Sequence, residues 1–313
     1  MRFFGSPKRK PGWLCINLLP DRVDVSHVVV QGKARPEVLL CDSYRKEGDD
    51  LATLRRLRRE LDLPAHRITT LLKAGDYQVV QVEAPPNVPA AELKHALRWR
   101  LKDLIDFPVE AAVVDAVTIP PGAGAAARTP QALAVVARND IIRATVQPFS
   151  DADIPLAAID IPEMAQRNVA HRLEEAGRGM ALLSFDGSGG LLTFTCDGEL
   201  YQYRNIEQTL DSFVNIDAEQ RQQLYERIVL ELQRSLDGFD RRFHHVAVSK
   251  VVMTPVPGAE DLQEYLAANL GVPLTLLDLA QIMDFPLVPE LRQPLRQAQC
   301  LKLIGGAMRG ETA

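Results

Sequence analysis

The sequence has no hydrophobic run of the roughly 18 residues that a membrane-spanning helix needs. Its first segment, Met1 to Pro11, carries positive charge but no apolar stretch of signal-peptide length. Lys and Arg number 36 against 41 Asp and Glu, a net charge of −5, so no general nucleic-acid-binding domain is indicated. We therefore expect a cytoplasmic protein without a transmembrane segment of its own that binds no nucleic acid.

Cysteines are few, and none has a Cys-x-x-Cys partner. Cys15, Cys41 and Cys196 lie in strand-like apolar runs, whereas Cys300 lies in a helix-like stretch. The histidines show no spacing typical of metal ligands. This pattern predicts reduced, buried thiols and no metal site.

The stretch from Met180 to Arg204 predicts three short strands. A glycine-rich turn, Asp186–Gly190, separates the first two, and the hairpin signal Asp197-Gly198 separates the last two. Free N–H groups in a glycine-rich turn can face a phosphate. The alternative is a hairpin that uses glycine only for its backbone angles.

The same order of predicted elements occurs twice in the chain. The first copy has three strands, a helix and a strand, over Trp13–Tyr44, Asp49–Asp62 and Ile68–Lys73. The second copy has the same elements over Met180–Arg204, Asp217–Phe239 and Val248–Met253. The copies lie roughly 165 residues apart, which indicates a duplicated architecture. Asp217 and Gln220 form a capping-box pattern at the start of the second helix.

Several further elements are predicted between and after these copies. Strands are expected at Tyr77–Ala84, Val113–Ile119, Ala132–Ala137 and Leu156–Asp160, and helices at Ala90–Phe107, Asp140–Phe149, Glu163–Ala176 and Gln297–Met308. Pro120–Pro130 is rich in Gly, Ala and Pro and predicts a loop. Gly305-Gly306 would weaken the last helix, so close packing against another element is the expected reason for the pair.

Two β-β-β-α-β halves with an α/β insert in the first resemble the actin-like ATPase superfamily. The insert is similar to the small subdomain of the division protein FtsA and the pilus protein PilM, over Val82–Trp99 and Asp103–Glu110. Ile228–Asp237 and Asp261–Pro273 resemble the MshI branch, from mannose-sensitive haemagglutinin (MSHA) pili. The resemblance implies an α/β, actin-like (ribonuclease-H-like) duplicated fold with an FtsA/PilM-type insert.

The resemblance also suggests where the domains begin and end. Residues 1–12 would form a tail, residues 13–78 and 131–177 the first actin-like subdomain, residues 79–130 the inserted subdomain, and residues 178–313 the second actin-like domain. The Gly177–Gly179 segment would join the two halves.

PilM-like proteins lie on the cytoplasmic face of the inner membrane and bind the short tail of a PilN-like single-pass membrane protein. The resemblance therefore implies a scaffold of an MSHA-type pilus platform, held at the membrane by that partner and contacting other platform components. We expect the partner site in a groove between the first subdomain and the insert. The partner-binding candidates are Leu97, Trp99, Leu101 and Ile105.

Trp99 is the candidate anchor because aromatic residues dominate interface hot spots. The alternative is that Trp99 packs inside the insert.

The loops that bind ATP in this superfamily depart from the usual pattern. In the first loop, Asn17 replaces the aspartate and Leu19 the glycine, so the carboxylate that organises magnesium is missing. In the second loop Asp186 follows the expected position by one residue. The third loop, Thr254–Gly258, keeps one glycine. If a nucleotide binds, the candidates are Asp21, Asp186, Gly187, Ser188, Gly189, Gly190 and Gly258.

We accordingly expect no catalytic residue, no required cofactor and no ATPase activity. The alternatives are an ATP-binding switch or ATPase of the same machinery, which would hold ATP with magnesium, and assembly into filaments.

Overall fold

The first half of the chain is a five-stranded sheet interrupted by a smaller inserted sheet. The computed structural model describes residues 9–32, 34–85, 88–121 and 130–310. The elements up to the joint between the halves are β1 (Trp13–Leu18), β2 (Arg22–Val29), β3 (Glu37–Arg45), α1 (Asp50–Glu60), β4 (Arg67–Leu71), β5 (Tyr77–Glu83), α2 (Ala90–Leu101), β6 (Ala112–Ile119), β7 (Gln131–Arg138), α3 (Asn139–Asp151), β8 (Leu156–Asp160) and α4 (Pro162–Ala170). Most of the predicted tail and of the Pro120–Pro130 loop lies outside the described residues.

The second half repeats the arrangement. Its elements are β9 (Gly179–Asp186), β10 (Gly189–Cys196), β11 (Glu199–Ile206), α5 (Ala218–Arg242), β12 (Val248–Met253), α6 (Leu262–Asn269), β13 (Leu274–Leu276) and α7 (Pro294–Ala307). Asp217 caps α5, and its capping box with Gln220 is formed, as the sequence predicts.

The two large sheets have matching topology. Their strand orders are β3-β2-β1-β4-β8 and β11-β10-β9-β12-β13. In each sheet three consecutive strands form an antiparallel meander, and the remaining two run parallel to the first strand. Parallel neighbours require a crossover, which α1 and α5 supply in equivalent places. The repeat predicted from the order of elements is therefore confirmed.

Strand β1 is buried on both faces, and its alternation separates two cores. Leu14 and Ile16 pack against the side of the sheet that carries α1 and α3. Cys15 points to the opposite side, toward α7. The period of two in an apolar strand thus sets which helices cover each face.

The insert is a three-stranded antiparallel sheet with the order β5-β7-β6 and with α2 on one face. Strand β7 pairs with both neighbours, so Ala134 lies opposite Val80 on one side and Ala116 on the other. Residues 131–138 therefore pair within the inserted sheet, whereas the predicted insert ended at residue 130. The reason is topological: β5 and β6 are joined only through β7.

Leu93, Leu97 and Leu101 form the stripe of α2 that packs on this sheet. Small side chains at Ala132 and Ala134 let the leucines approach the strands closely. The other face of the inserted sheet packs on the second half, and the Tyr203 hydroxyl donates to the Val79 carbonyl at 3.2 Å.

Two helices end earlier than the sequence predicts. Helix α2 stops at Leu101 instead of Phe107, because Arg98 donates to the carbonyls of Val109 and Ala112 and draws the following segment back over the helix end. Helix α4 stops at Ala170 instead of Ala176, and its last turn tightens into bonds between residues three apart.

The glycine pair of α7 packs against other elements, as predicted. A Cβ on Gly305 would lie 2.0 Å from the Ala165 carbonyl oxygen of α4. A Cβ on Gly306 would lie 2.8 Å from the sulfur of Cys15 in β1. Only glycine permits this approach of α7 to both elements.

The four cysteines are buried and form no disulfide, which agrees with the sequence prediction. Within the parts of the chain that the structure describes, no helix is long and apolar enough to cross a bilayer. The same parts contain no cluster of three or more potential metal ligands.

Candidate functional site

The strongest candidate site is a groove where the chain passes between the first half and the insert. It consists of two cavities of about 250 Å³ and about 130 Å³ that share Asp76 and Ile141. The larger cavity lies at the C-terminal ends of β1 and β4, between α1 and α3. Ligands of open α/β sheets commonly bind outside this end of the parallel strands.

The local sequence explains why the groove forms here. After β4 the chain turns through Gly75, whose φ of +92° favours glycine, and enters β5 at Tyr77. It leaves the insert at Arg138 and enters α3 directly, so Ile141 returns over the same turn. The segment that enters the insert and the segment that leaves it therefore form the two walls of the groove.

The groove combines apolar and charged side chains. Phe107 and Ile141 line the smaller cavity, and Phe149 lines the larger one. Asp106 accepts a hydrogen bond from the Gln78 side chain at 2.7 Å on one rim. Asp76 lines both cavities. Such a lining can accept an extended segment with apolar side chains and a basic group.

Arg138 is held in place by two contacts beside this rim. Its guanidinium donates to both carboxylate oxygens of Asp140, at 3.0 and 2.8 Å, and lies 6.0 Å from the centre of the Phe107 ring. The positive charge of Arg138 is therefore already paired with Asp140. The carboxylates that line the smaller cavity are those of Asp76 and Asp106.

The predicted partner-binding residues occupy different positions. Leu97 and Leu101 are completely buried in the core of the insert, so their role is packing and they cannot contact a partner directly. Ile105 is partly buried against the same core. Trp99 is 82% exposed, which rules out its packing inside the insert, and it lines neither cavity. The leucine stripe faces the sheet, so Trp99 projects from the other side of α2.

The glycine-rich turn is closed by its own residues and by α7. One carboxylate oxygen of Asp186 accepts from the Ser188 N–H at 2.7 Å and from its hydroxyl at 2.6 Å. The other accepts from the Lys302 ammonium at 2.6 Å. Burial alone would raise the pKa of Asp186, but Lys302 and Ser188 outweigh it and hold the pKa below its usual range.

Packing also explains two of the glycines in this turn. A Cβ on Gly189 would lie 2.9 Å from the Ile206 carbonyl oxygen, and one on Gly190 would lie 2.7 Å from the Phe185 ring. Gly187 has open space around it. The conformation of the hairpin therefore requires glycine at positions 189 and 190 without any ligand.

The remaining nucleotide candidates also have local partners. Asp21 lies in the turn between β1 and β2, 3.4 Å from the Arg22 guanidinium. The N–H of Gly258 donates to the Glu260 carboxylate at 3.2 Å. One hairpin contains five of the seven nucleotide candidates, namely Asp186, Gly187, Ser188, Gly189 and Gly190. The other two, Asp21 and Gly258, lie in separate turns.

Two buried carboxylates that sequence reasoning did not single out lie at the start of α4. Asp160 accepts from Arg309 at 2.5 Å and from the Ile161 N–H at 2.9 Å. Glu163 accepts from the Tyr77 hydroxyl at 2.5 Å. Burial raises the pKa of both carboxyl groups. The sequence does show Asp160 and Glu163 on either side of Pro162, the first residue of α4. Their burial, however, depends on packing against α7 and β5, which the local sequence does not show.

The sequence predicts that part of Leu97–Asp106 forms a wall of the groove, which includes Asp106, but the other groove residues were missed. The signal that could have found them is positional. Asp76 and Tyr77 lie where the chain enters the insert, and Arg138 and Ile141 lie where it leaves. The two segments that connect the insert to the first half lie side by side at the smaller cavity.

No protein-family profile matches the sequence, and no curated protein sequence matches it. Solved structures do match. A PilM–PilN type IV pilus biogenesis complex has a TM-score of 0.70 at 18% identity, covering 94% of this chain and 98% of that chain.

Two other structures are similar at lower scores. A protein of actin-like ATPase fold and unknown function from Bacteroides thetaiotaomicron has a TM-score of 0.49 at 10% identity, covering 95% and 99% of the two chains. The cytoplasmic domain of EpsL, an inner-membrane component of the Vibrio cholerae type II secretion system, has a TM-score of 0.48 at 14% identity, covering 96% and 99%. The duplicated sheets and the match over nearly the whole chain establish that this protein has an actin-like fold.

Proposed function

We propose that this protein is a scaffold of a type IV pilus assembly platform and binds the cytoplasmic tail of a PilN-like single-pass inner-membrane protein. The observation that carries the proposal is the groove at the junction of the first half and the insert, in a chain that resembles a PilM–PilN complex over 94% of its length. The partner would hold the scaffold on the cytoplasmic face of the inner membrane. The motifs similar to the MshI branch favour a pilus of the MSHA type.

The chemistry of the groove suits such a tail. Cytoplasmic segments next to a membrane-spanning helix are enriched in Lys and Arg. Asp76 and Asp106 would attract those residues, and Ile141 and Phe107 would contact apolar side chains. A short extended segment would bind with polar groups at the rim and apolar groups below, which is the usual division in a peptide-binding groove.

The test is a titration of a labelled peptide with the tail sequence of the cognate PilN-like protein. Ile141→Arg places a bulky charge at one of the two residues that both cavities share. We expect it to weaken binding at least ten-fold. Leu287→Arg makes the same kind of change at a leucine that is 71% exposed and lines neither cavity, and it should leave binding unchanged. Equal affinity for all three proteins would contradict the groove assignment.

We further propose that the protein works without hydrolysing ATP. Two observations support this: Lys302 occupies the Asp186 carboxylate, and Gly189 and Gly190 have packing roles. The rival function, an ATP-dependent switch, predicts magnesium-dependent binding of ATP that changes affinity for the tail. Titration of a fluorescent ATP analogue with and without magnesium separates the two, and micromolar, magnesium-dependent binding would overturn our proposal.

A further inference from the structure

The strand by which the chain enters the insert has two different faces. Side chains alternate along a strand, so Gln78, Val80 and Val82 share one face of β5. Val80 and Val82 pack with α2, and Gln78 donates to Asp106 at the rim of the groove. Tyr77 points to the opposite face, away from α2. It is therefore the residue that can fix this end of β5 to the rest of the first half.

Tyr77 is held both at its ring and at its hydroxyl group. The ring packs against an apolar cluster of Leu72, Ala137 and Ile161. The hydroxyl donates to the Glu163 carboxylate of α4 at 2.5 Å. Burial and the adjacent Glu163 raise the pKa of the Tyr77 hydroxyl, so the hydroxyl stays protonated and remains a donor. The start of β5 is thereby tied to a helix outside the insert.

The contacts of Tyr77 reach residues that line the groove. Tyr77 itself lines the smaller cavity, and Leu72 lines the larger one. Asp76, which lines both cavities, directly precedes Tyr77 in the chain. Gln78 directly follows it and holds Asp106. A shift of Tyr77 would therefore move both carboxylates of the smaller cavity.

Glu163 is almost completely buried, with 2% of its surface exposed. Burial of a carboxyl group costs free energy, and hydrogen bonding to that group offsets the cost. The Oε2 atom of Glu163 accepts from Tyr77, and the positive charge of Lys302 also stabilises the carboxylate. The buried carboxylate thus sets the position of the Tyr77 hydroxyl.

We propose that Glu163 is a positioning residue for the partner groove and acts through the Tyr77 hydroxyl. The inference rests on the proposed function, because it requires that the groove bind the tail. A groove whose walls are already in place loses less entropy on binding than one whose walls must become ordered. Without the hydrogen bond to Glu163, the tail must order the start of β5 when it binds. We expect the affinity for the tail to fall about three- to ten-fold, the factor that corresponds to one ordinary hydrogen bond.

The first test compares two tyrosines whose hydroxyl groups both donate to a carboxylate. Tyr77→Phe removes only the hydroxyl group at the groove wall, and binding of the labelled tail peptide should weaken by the factor given above. Tyr225→Phe is the matched control, because the Tyr225 hydroxyl donates to Asp261 at 2.7 Å and Tyr225 lines neither cavity. This control should bind the peptide like the wild type. Both variants lose a similar hydrogen bond, so a general loss of stability would affect them alike.

The second test identifies the route by which Glu163 acts. Glu163→Gln keeps an oxygen that can accept from Tyr77, and it should retain most of the affinity. Glu163→Leu removes the acceptor and should weaken binding as much as Tyr77→Phe does. The double variant Tyr77→Phe/Glu163→Leu should bind no more weakly than either single variant, because both changes remove the same hydrogen bond. Circular dichroism checks that each variant folds, and the comparison of the two tyrosine variants needs no change at Glu163.

Three results would overturn the proposal. The first is equal peptide affinity for Tyr77→Phe and Tyr225→Phe while Ile141→Arg still weakens binding, in which case the groove assignment would stand without a role for Glu163. The second is a loss of affinity from Glu163→Leu that persists in full in the Tyr77→Phe protein, which would assign Glu163 to packing alone. The third is peptide binding that Ile141→Arg leaves unchanged, which would contradict the groove assignment and this inference with it.

Discussion

Single residues at the centre of the molecule are fixed by contacts to distant parts of the chain. Gly305 touches the backbone of α4, Lys302 binds the hairpin between β9 and β10, and Arg309 binds Asp160 at the end of β8. All three lie on or just after α7. Substitutions there act on several elements together.

We expect Gly305→Ala to destabilise the protein by about 1–3 kcal/mol, the usual cost of overpacking. The added methyl would meet the Ala165 carbonyl, which is backbone and cannot move freely. Gly238→Ala is the matched control: it lies inside α5 with nothing near its Cβ position, and alanine should stabilise that helix by up to about 1 kcal/mol. Urea unfolding measures both, and changes of the same sign would contradict the packing argument.

The buried Glu163 predicts a pH dependence of stability. Burial raises its folded pKa, and the Tyr77 hydrogen bond and Lys302 oppose that rise only in part. Above the unfolded pKa of about 4.3 the folded protein therefore keeps a proton that the unfolded chain releases. The contribution of Glu163 to stability is therefore fully present below that unfolded pKa and is lost as the pH rises through the folded pKa.

Glu163→Gln removes the titrating group and should flatten this decline. The measurement is the urea midpoint at a series of pH values from 4 upward. Glu264→Gln, at an exposed position on α6, serves as the control and should keep the slope of the wild type. Asp160 contributes a slope of the same sign, so some decline should remain. A Glu163→Gln protein with the full wild-type slope would disprove the assignment.

At the scale of elements, local signals define where helices begin better than where they end. The capping box of α5 formed as the sequence indicates, and Asp49 also caps α1. Helices α2 and α4 end earlier than predicted. Tertiary hydrogen bonds from Arg98 form at the end of α2, and a tightened turn follows the end of α4.

Removal of the α5 cap by Asp217→Ala should cost about 0.5–2 kcal/mol. The Asp217 side chain accepts from the Gln220 N–H at 2.8 Å, and alanine leaves that donor without its partner. Asp217→Ser keeps an acceptor and should retain most of the stability. Chemical unfolding distinguishes the two variants, and equal stability of both would mean that the cap contributes little.

At the scale of the whole molecule, the two halves share one core. Cys15 of β1, Met180 of β9 and Val252 of β12 belong to the same apolar cluster, together with α4 and α7. Arg35, from the first half, donates to the carbonyls of Ala280 and Gln281 at 2.6 and 2.7 Å. The halves are therefore joined by packing and hydrogen bonds as well as by the chain.

We expect the protein to unfold in one cooperative transition. Tryptophan fluorescence reports on β1 and α2 through Trp13 and Trp99, and far-ultraviolet circular dichroism reports on all helices. Because the core crosses both halves, the two signals should give the same urea midpoint. Separate midpoints would show that the insert or one half unfolds independently.

Much of the architecture was predictable because its signals are local. Apolar runs separated by turn residues predicted both meanders, in Trp13–Tyr44 and Met180–Arg204, and apolar residues at helical spacing predicted α2 and α5. The candidate site was less predictable. Leu97 and Leu101 were expected to contact a partner, but a stripe of that spacing equally forms a core face, and only the inserted sheet decides between them.

The sequence by itself determined the duplicated order of strands and helices, the capping box of α5, and the need for close packing at Gly305-Gly306. These depend on backbone conformation and on contacts a few residues apart. Only the tertiary structure decided that β7 joins the insert, that Lys302 binds Asp186, that the groove opens at Asp76, and that Trp99 faces outward. Each of these depends on contacts between distant segments, whose partners no local periodicity specifies.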